Sequence, residues 1–274
     1  MNHSLHRWNG GFPRVDSVEY LMSGSALRWH GMSMTSRGNG WIGWPIIAGC
    51  ILAALLSMGV LHVTGMGLLD PARSVISDYV LVSEGYALLA VAAVALATAA
   101  LVVAAGLRRA GLPRPDLPVA LLVSGAAALV VAAVFPTNLP GTPAGLVANV
   151  HRAGGGLAFG ALPLAGWLVA KRAFAAAAWA PFAPLLRRCA GVTGLISATY
   201  LLIHVPIVIA GSPGFPYLGG AERVLCAAVM VVLLTTGRAA RTAIEGARVT
   251  SAPHSGTTSA GSPVLADAGL GQPA

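Results

Sequence analysis

The sequence predicts an all-α, polytopic membrane bundle of six transmembrane helices with both termini on the cytoplasmic side. Three observations lead there. The 274-residue chain is 56% hydrophobic and only 9% charged, against roughly 25% charged residues in a soluble domain. Apolar runs of span length recur six times. The basic residues gather in alternate connections between those runs.

A span needs about 20 apolar residues to cross roughly 30 Å of hydrocarbon. Residues 1–40 are polar, rich in Gly and Ser and without a period, and are expected to form a disordered cytoplasmic tail. Met32 and Met34 are alternative starts. The first span is expected over Trp41–Val63 and the second over Tyr86–Leu107. The third is Leu117–Phe135, the fourth Ala153–Ala170 and the fifth Cys189–Ala210. The sixth, Glu222–Gly237, is the shortest. Abundant Ala and Gly, as in Gly156–Gly160, let helix backbones approach closely in lipid. Residues 239–274 form a cytoplasmic tail, disordered from about 249, where Ser, Gly, Thr and Pro prevail. No cleavable signal peptide is expected, because the first apolar run is of full span length and begins late.

Orientation follows from the positions of Arg and Lys. Fourteen fall in the two tails and in the connections after the second and fourth spans. The other three connections hold one each, Arg73, Arg152 and Arg223. By the positive-inside rule, both termini are cytoplasmic in a plasma-membrane protein. Trp41, Trp44 and Trp167 then fall at the inner interface and Tyr79, Tyr86 and Tyr217 near the outer one. The connection 171–188 carries Phe174, Trp179, Phe182, Leu185 and Leu186 between basic ends, a composition that also suits a segment lying on the inner leaflet.

Several function classes are excluded. The net charge of +8 resides in clusters at span ends, not in a stripe interleaved with aromatics, so nucleic acid is not an expected partner. Membrane lipids are. Cys50, Cys189 and Cys226 lie at or inside apolar runs and form no disulfide framework or C-x-x-C pattern. No G-x-S-x-G elbow, Walker loop or dinucleotide fingerprint occurs in a usable context, and no cofactor is expected. The spans lack an acid at their centre, and Pro163 and Pro206 form no repeat, which weighs against a transporter.

The chemistry concentrates in the outer connections. Four of the nine acids lie there, Asp70, Asp78, Glu84 and Glu222. His62, His151 and His204 lie at or near the outer ends of spans. Ionisable groups at the edge of hydrocarbon are expensive unless paired or wet. One reading ties loops together: arginines snorkel to phosphates and Asp78 and Glu222 pair with them or cap helices. A second makes the outer cluster a ligand site. Asp78, His151, Glu222 and Arg223 are its main members, with Arg73, Arg152 and His204 beside them. One cation from each outer connection suits a lipid phosphate or small anion. A third reading is a zinc-dependent hydrolase with His62, His151, His204 and Asp78 as ligands, although no H-E-x-x-H or H-x-x-x-H spacing is present.

Ile76-Ser77-Asp78-Tyr79 after Asp70-Pro71, Phe135-Pro136-Thr137-Asn138, His151, and Gly220-Ala221-Glu222-Arg223 occur in an order that resembles the DUF998 family of bacterial and archaeal membrane proteins. The resemblance covers about residues 40–240. It implies a bundle of about six spans and no established activity. In the family it resembles, members often carry an acid where this chain has Asn138. The expected function is therefore binding or handling of a lipid or small anionic ligand at the extracytoplasmic cluster, with a ligand-free structural protein as the rival.

Overall fold

The computed structural model describes residues 41–138, 142–210 and 215–251. The tail 1–40, with its four arginines and both alternative starts, and residues 252–274 lie outside the described residues. Six α-helices follow in order: α1 (Gly43–Thr64), α2 (Gly85–Arg109), α3 (Asp116–Val134), α4 (Leu146–Ala173), α5 (Ala183–Ala210) and α6 (Leu218–Ser251). A 3-10 helix, Ile76–Leu81, lies between α1 and α2, and a 3-10 turn, Ala180–Phe182, precedes α5. No strand occurs among the described residues. All six helices are long and apolar enough to cross a membrane. Leu52, Leu56, Leu195 and Leu202 are exposed on their outer faces, as expected where lipid is the surrounding solvent. The chain is a multi-pass membrane protein.

Local chemistry sets the helix ends. α1 stops where Gly65 N–H donates to Leu61 O at 2.9 Å, and Gly67 adopts φ +86°. α2 ends on Arg108 and Arg109, cations that suit the negative end of a helix dipole. Beyond them Gly111 sits at φ +64° and Leu112 N–H reaches back to Leu107 O at 3.2 Å. This is a Schellman closure, which needs a left-handed residue that glycine supplies without strain. Asp116 occupies the first turn of α3, where an acid is favoured by the dipole.

Helices adjacent in sequence pack against each other, and α6 also touches α1, α2 and α4. The core where they meet is built largely from small residues such as Ala99, Ala100 and Ala165, with Val103, Leu225 and Leu233 filling between them. A Cβ on Gly154 would lie 2.9 Å from Ala128 O, so α3 and α4 touch backbone to backbone. Pro163 lies inside α4 and has no N–H, which leaves the Phe159 carbonyl without its helical donor. The Ser197 hydroxyl of α5 donates to that carbonyl. Sequence therefore supplies both the defect and its repair, on neighbouring helices.

Three boundaries differ from expectation. α4 begins at Leu146, so His151 and Arg152 stand inside the helix rather than before it. α5 begins at Ala183, because Trp179 is fully buried and anchors the preceding connection. Its indole N–H donates to Ala110 O at 3.1 Å. α6 is the longest helix, at 34 residues, about 50 Å at 1.5 Å per residue. Hydropathy marks only its lipid-compatible part. The remainder is an Ala- and Arg-rich stretch held by burial of Ala239, Ala240 and Ala243 and by the Arg241–Glu245 pair at 2.7 Å. Two of the expected interface aromatics are covered by protein: Trp41 packs on Gly106 and Tyr79 is fully buried. Tyr86 and Tyr217 are exposed.

Replacing Ser197 by Ala should lower stability in bicelles by about 1 kcal/mol, the scale of an interhelical hydrogen bond in lipid. Pairing it with Pro163→Ala restores a helical donor to Phe159 O, so a double-mutant cycle by reversible unfolding should show the Ser197 loss shrinking. Additive losses would contradict this pairing.

Candidate functional site

The connection between α1 and α2, residues 65–84, forms a strap. It opens with a turn in which Arg73 and Ser74 N–H donate to Asp70 O and Ala72 N–H donates to Asp70 Oδ1 at 2.9 Å. Asp78 caps its own 3-10 helix by accepting Val75 N–H on Oδ2 at 3.0 Å. Burial raises the Asp78 carboxyl above the usual carboxylate range, with the Val75 N–H and the Arg223 charge pulling it back down.

Three hydrogen bonds join the strap to the start of α6. Gly220 N–H donates to Ala72 O at 2.9 Å. Ile76 N–H donates to Glu222 Oε2 at 2.5 Å. Arg223 Nη1 donates to Ser74 O at 2.9 Å. The close fit requires glycine: a Cβ on Gly219 would lie 2.1 Å from Ser74 O.

Arg223 is the centre of this junction. Its Nη1 also donates to Gly219 O at 2.8 Å, and its Nε donates to His62 Nε2 at 2.7 Å. A guanidinium has no acceptor, so His62 Nε2 carries the lone pair and Nδ1 the hydrogen. That Nδ1–H donates to Met58 O at 2.6 Å. Arg223 Cζ lies 5.5 Å from the Tyr79 ring centroid, within cation–π range. Its Nη2 has no hydrogen-bond partner and exposes less than 1 Å².

A cavity of about 380 Å³ adjoins the junction and is lined by α1–α4, the strap and α6. On α2 its wall runs from Tyr86 to Leu96, on α4 from His151 to Leu162 and on α6 from Glu222 to Met230. At 1.5 Å per residue these faces run about 12–16 Å along the helices, roughly half a hydrocarbon thickness. Small residues leave the space open, among them Ala90, Ala93, Ala132, Gly155, Ala158 and Ala227. The deep walls are apolar. Polar groups, namely His62, Ser77, Thr137, His151, Glu222 and Arg223, cluster at the strap end.

The expected site residues separate into two sets. His151, Glu222 and Arg223 line the cavity. His151 Nδ1–H is shared between Ala132 O at 2.8 Å and Phe135 O at 2.9 Å. Asp78 is spent on its own helix turn. Arg73 is exposed and paired with Asp70 at 3.4 Å. Arg152 Nη2 donates to Asn138 Oδ1 at 3.0 Å. His204 bonds Tyr200 O at 3.1 Å, and its ring lies tilted by 46° against the Tyr200 ring with centroids 4.3 Å apart. The three strap-end arginines therefore do not converge on one anion. The zinc alternative loses its donor set as well: no group of three His, Cys, Asp or Glu that could hold a metal occurs among the described residues.

Sequence reasoning missed Tyr79 as a site member, His62 as the partner of Arg223, and Gly219. The Gly219-Gly220 pair, separated from Glu222-Arg223 by Ala221 alone, was the available signal, because adjacent glycines in the first turn of a helix permit a close backbone approach. Cys226, one turn below Glu222, also lines the cavity.

Asp78 gives a pH prediction with a definite sign. Its folded-state carboxyl holds a proton to higher pH than the unfolded chain does. Stability therefore falls as pH rises from the ordinary carboxyl range through the raised folded value. Asp78→Asn, which keeps an acceptor for Val75 N–H, should flatten that slope in detergent melting curves. The variant should match or exceed the parent at neutral pH. A deficit that grows from acid to neutral pH would contradict the assignment.

A family model described as "Protein of unknown function (DUF998)" matches residues 47–239. No curated protein and no solved structure matches the chain. The matched region starts within α1 and ends within α6, taking in the strap, the Arg223 junction and every cavity-lining residue. This chain belongs to the DUF998 family, whose function is unknown.

Proposed function

We propose that the protein is a plasma-membrane receptor or handler of a lipid-like amphiphile, with the apolar part in the cavity and the head at the strap end. The cavity carries this reading. Its volume of about 380 Å³ lies within the usual range for ligand pockets, about 300–1,000 Å³. Apolar walls with a few polar groups at one end match an amphiphile better than a free anion.

Orientation is part of the proposal. Ten of the described basic residues lie at the end of the bundle opposite the strap, against Arg73, Arg152 and Arg223 at the strap end. The positive-inside rule then makes the strap end extracytoplasmic and both termini cytoplasmic.

A ligand-free structural role is the second reading, favoured by one observation. Glu222 and Arg223 already hold the strap through Ile76 N–H and Ser74 O. The two readings separate at Gly155, where a Cβ would meet nothing within 4 Å. Gly155→Leu should fill the cavity without touching the junction. Amphiphile recovered with the protein from phosphatidylcholine nanodiscs, counted by lipid mass spectrometry, should drop about tenfold for a well-filled site. The melting temperature should hold. Equal recovery from parent and variant would sink the ligand reading and leave the structural one.

A further inference from the structure

The cavity's polar rim offers two fixed acceptors and no accessible cation, beside the Ser77 and Thr137 hydroxyls, which can donate or accept. Arg73 and Arg152 are engaged elsewhere, with Asp70 and Asn138. Arg223 directs Nε and Nη1 at His62, Ser74 and Gly219, and Nη2 is shut away from open space. Tyr86 spends its phenol hydrogen on Val134 O at 3.1 Å. Glu222 gives one oxygen, Oε2, to Ile76 N–H, while Oε1 has no hydrogen-bond partner among the described residues. His151 uses its Nδ1–H on two carbonyls, which leaves Nε2 as a lone-pair acceptor in the neutral ring. Both residues line the cavity.

From this we infer that the amphiphile carries a hydrogen-bond-donating head, a hydroxyl or an ammonium, that bonds Glu222 Oε1 and His151 Nε2. The inference rests on the amphiphile reading above and replaces the phosphate expected from the arginine count. An anionic head would face the Glu222 carboxylate and the His151 lone pair with only the neutral Ser77 and Thr137 hydroxyls and no accessible cation to offset them, and burying unpaired like groups is costly. A hydroxyl or ammonium meets acceptors already held in place, because the strap fixes Glu222 and the α3 carbonyls fix His151.

Photo-crosslinking of the full chain in phosphatidylcholine nanodiscs tests this. Four probes share one diazirine-bearing alkyl chain and differ in the head: hydroxyl, ammonium, carboxylate or phosphate. Labelling is mapped by mass spectrometry to the cavity faces of α2 and α4. The hydroxyl or ammonium probe should label about tenfold more than either anion, the worth of roughly one charge-assisted hydrogen bond. Whichever of the two labels more names the head. Glu222→Gln keeps an acceptor for Ile76 N–H and presents an amide donor instead of Oε1, so the preference should narrow or reverse. Equal labelling by all four heads overturns the head assignment and leaves the cavity reading standing. Preference for phosphate or carboxylate also overturns it, and would point to a strap displaced to free Arg223 Nη2. Labelling no higher than in Gly155→Leu for every head would remove the amphiphile reading and this inference together.

Discussion

A guanidinium at the edge of hydrocarbon has to be satisfied by protein groups, and Arg223 imposes that constraint on everything around it. Its charge is expensive to bury unless paired with acceptors of good geometry. Four groups meet most of the demand, with Nη2 left without a partner: His62 Nε2, the Ser74 and Gly219 carbonyls, and the Tyr79 face. They come from three segments distant in sequence, the end of α1, the strap and the start of α6. Meeting the demand therefore fixes the tautomer of His62, the path of the strap and the missing side chain at Gly219. Glu222 adds a second tie one residue earlier, through Ile76 N–H. Together they hold the strap on α6 as one unit.

The cavity follows from that unit and from the small residues beneath it. Helices lined by Ala90, Ala93, Ala132, Gly155 and Ala158 cannot fill the space they enclose, and an apolar void forfeits packing on every wall. Along the helices the void runs about half of the hydrocarbon thickness. The strap stands at its polar end. Apolar depth and polar mouth are the two features that an amphiphile matches, and they coincide here because the Arg223 junction sits directly above the alanine-lined faces. None of the described side chains of α5 lines it; the helix packs on α4 and α6 and repairs the proline defect of α4.

Much of the fold was legible in the sequence because lipid simplifies the problem. A backbone inside hydrocarbon must pair with itself, so an apolar run of span length implies a helix. Six runs gave six helices. The ends were less legible, since hydropathy reports where lipid compatibility stops and helices continue past it, as α6 does to Ser251. The junction was half legible. That Asp78, His151, Glu222 and Arg223 lie at one end of the bundle was legible from charge alternation, yet their partners were not. Whether an arginine meets a phosphate, an Asn or a carbonyl depends on distances that no local pattern encodes. Hence Arg73 and Arg152, expected beside Arg223, settle on Asp70 and Asn138 instead. The void was illegible for a related reason: a small residue on one helix leaves a gap only if the facing residues are small too.

Hydrogen–deuterium exchange of the strap tests the Arg223 junction most directly, comparing the parent protein with Arg223→Met in the same nanodiscs. If the junction holds the strap, peptides spanning Ala72 to Val82 should exchange slowly in the parent and many times faster in the variant, with the α3 and α4 peptides unchanged. Equally slow strap exchange in both proteins would show that the strap stands without Arg223 and would contradict its place as the governing constraint.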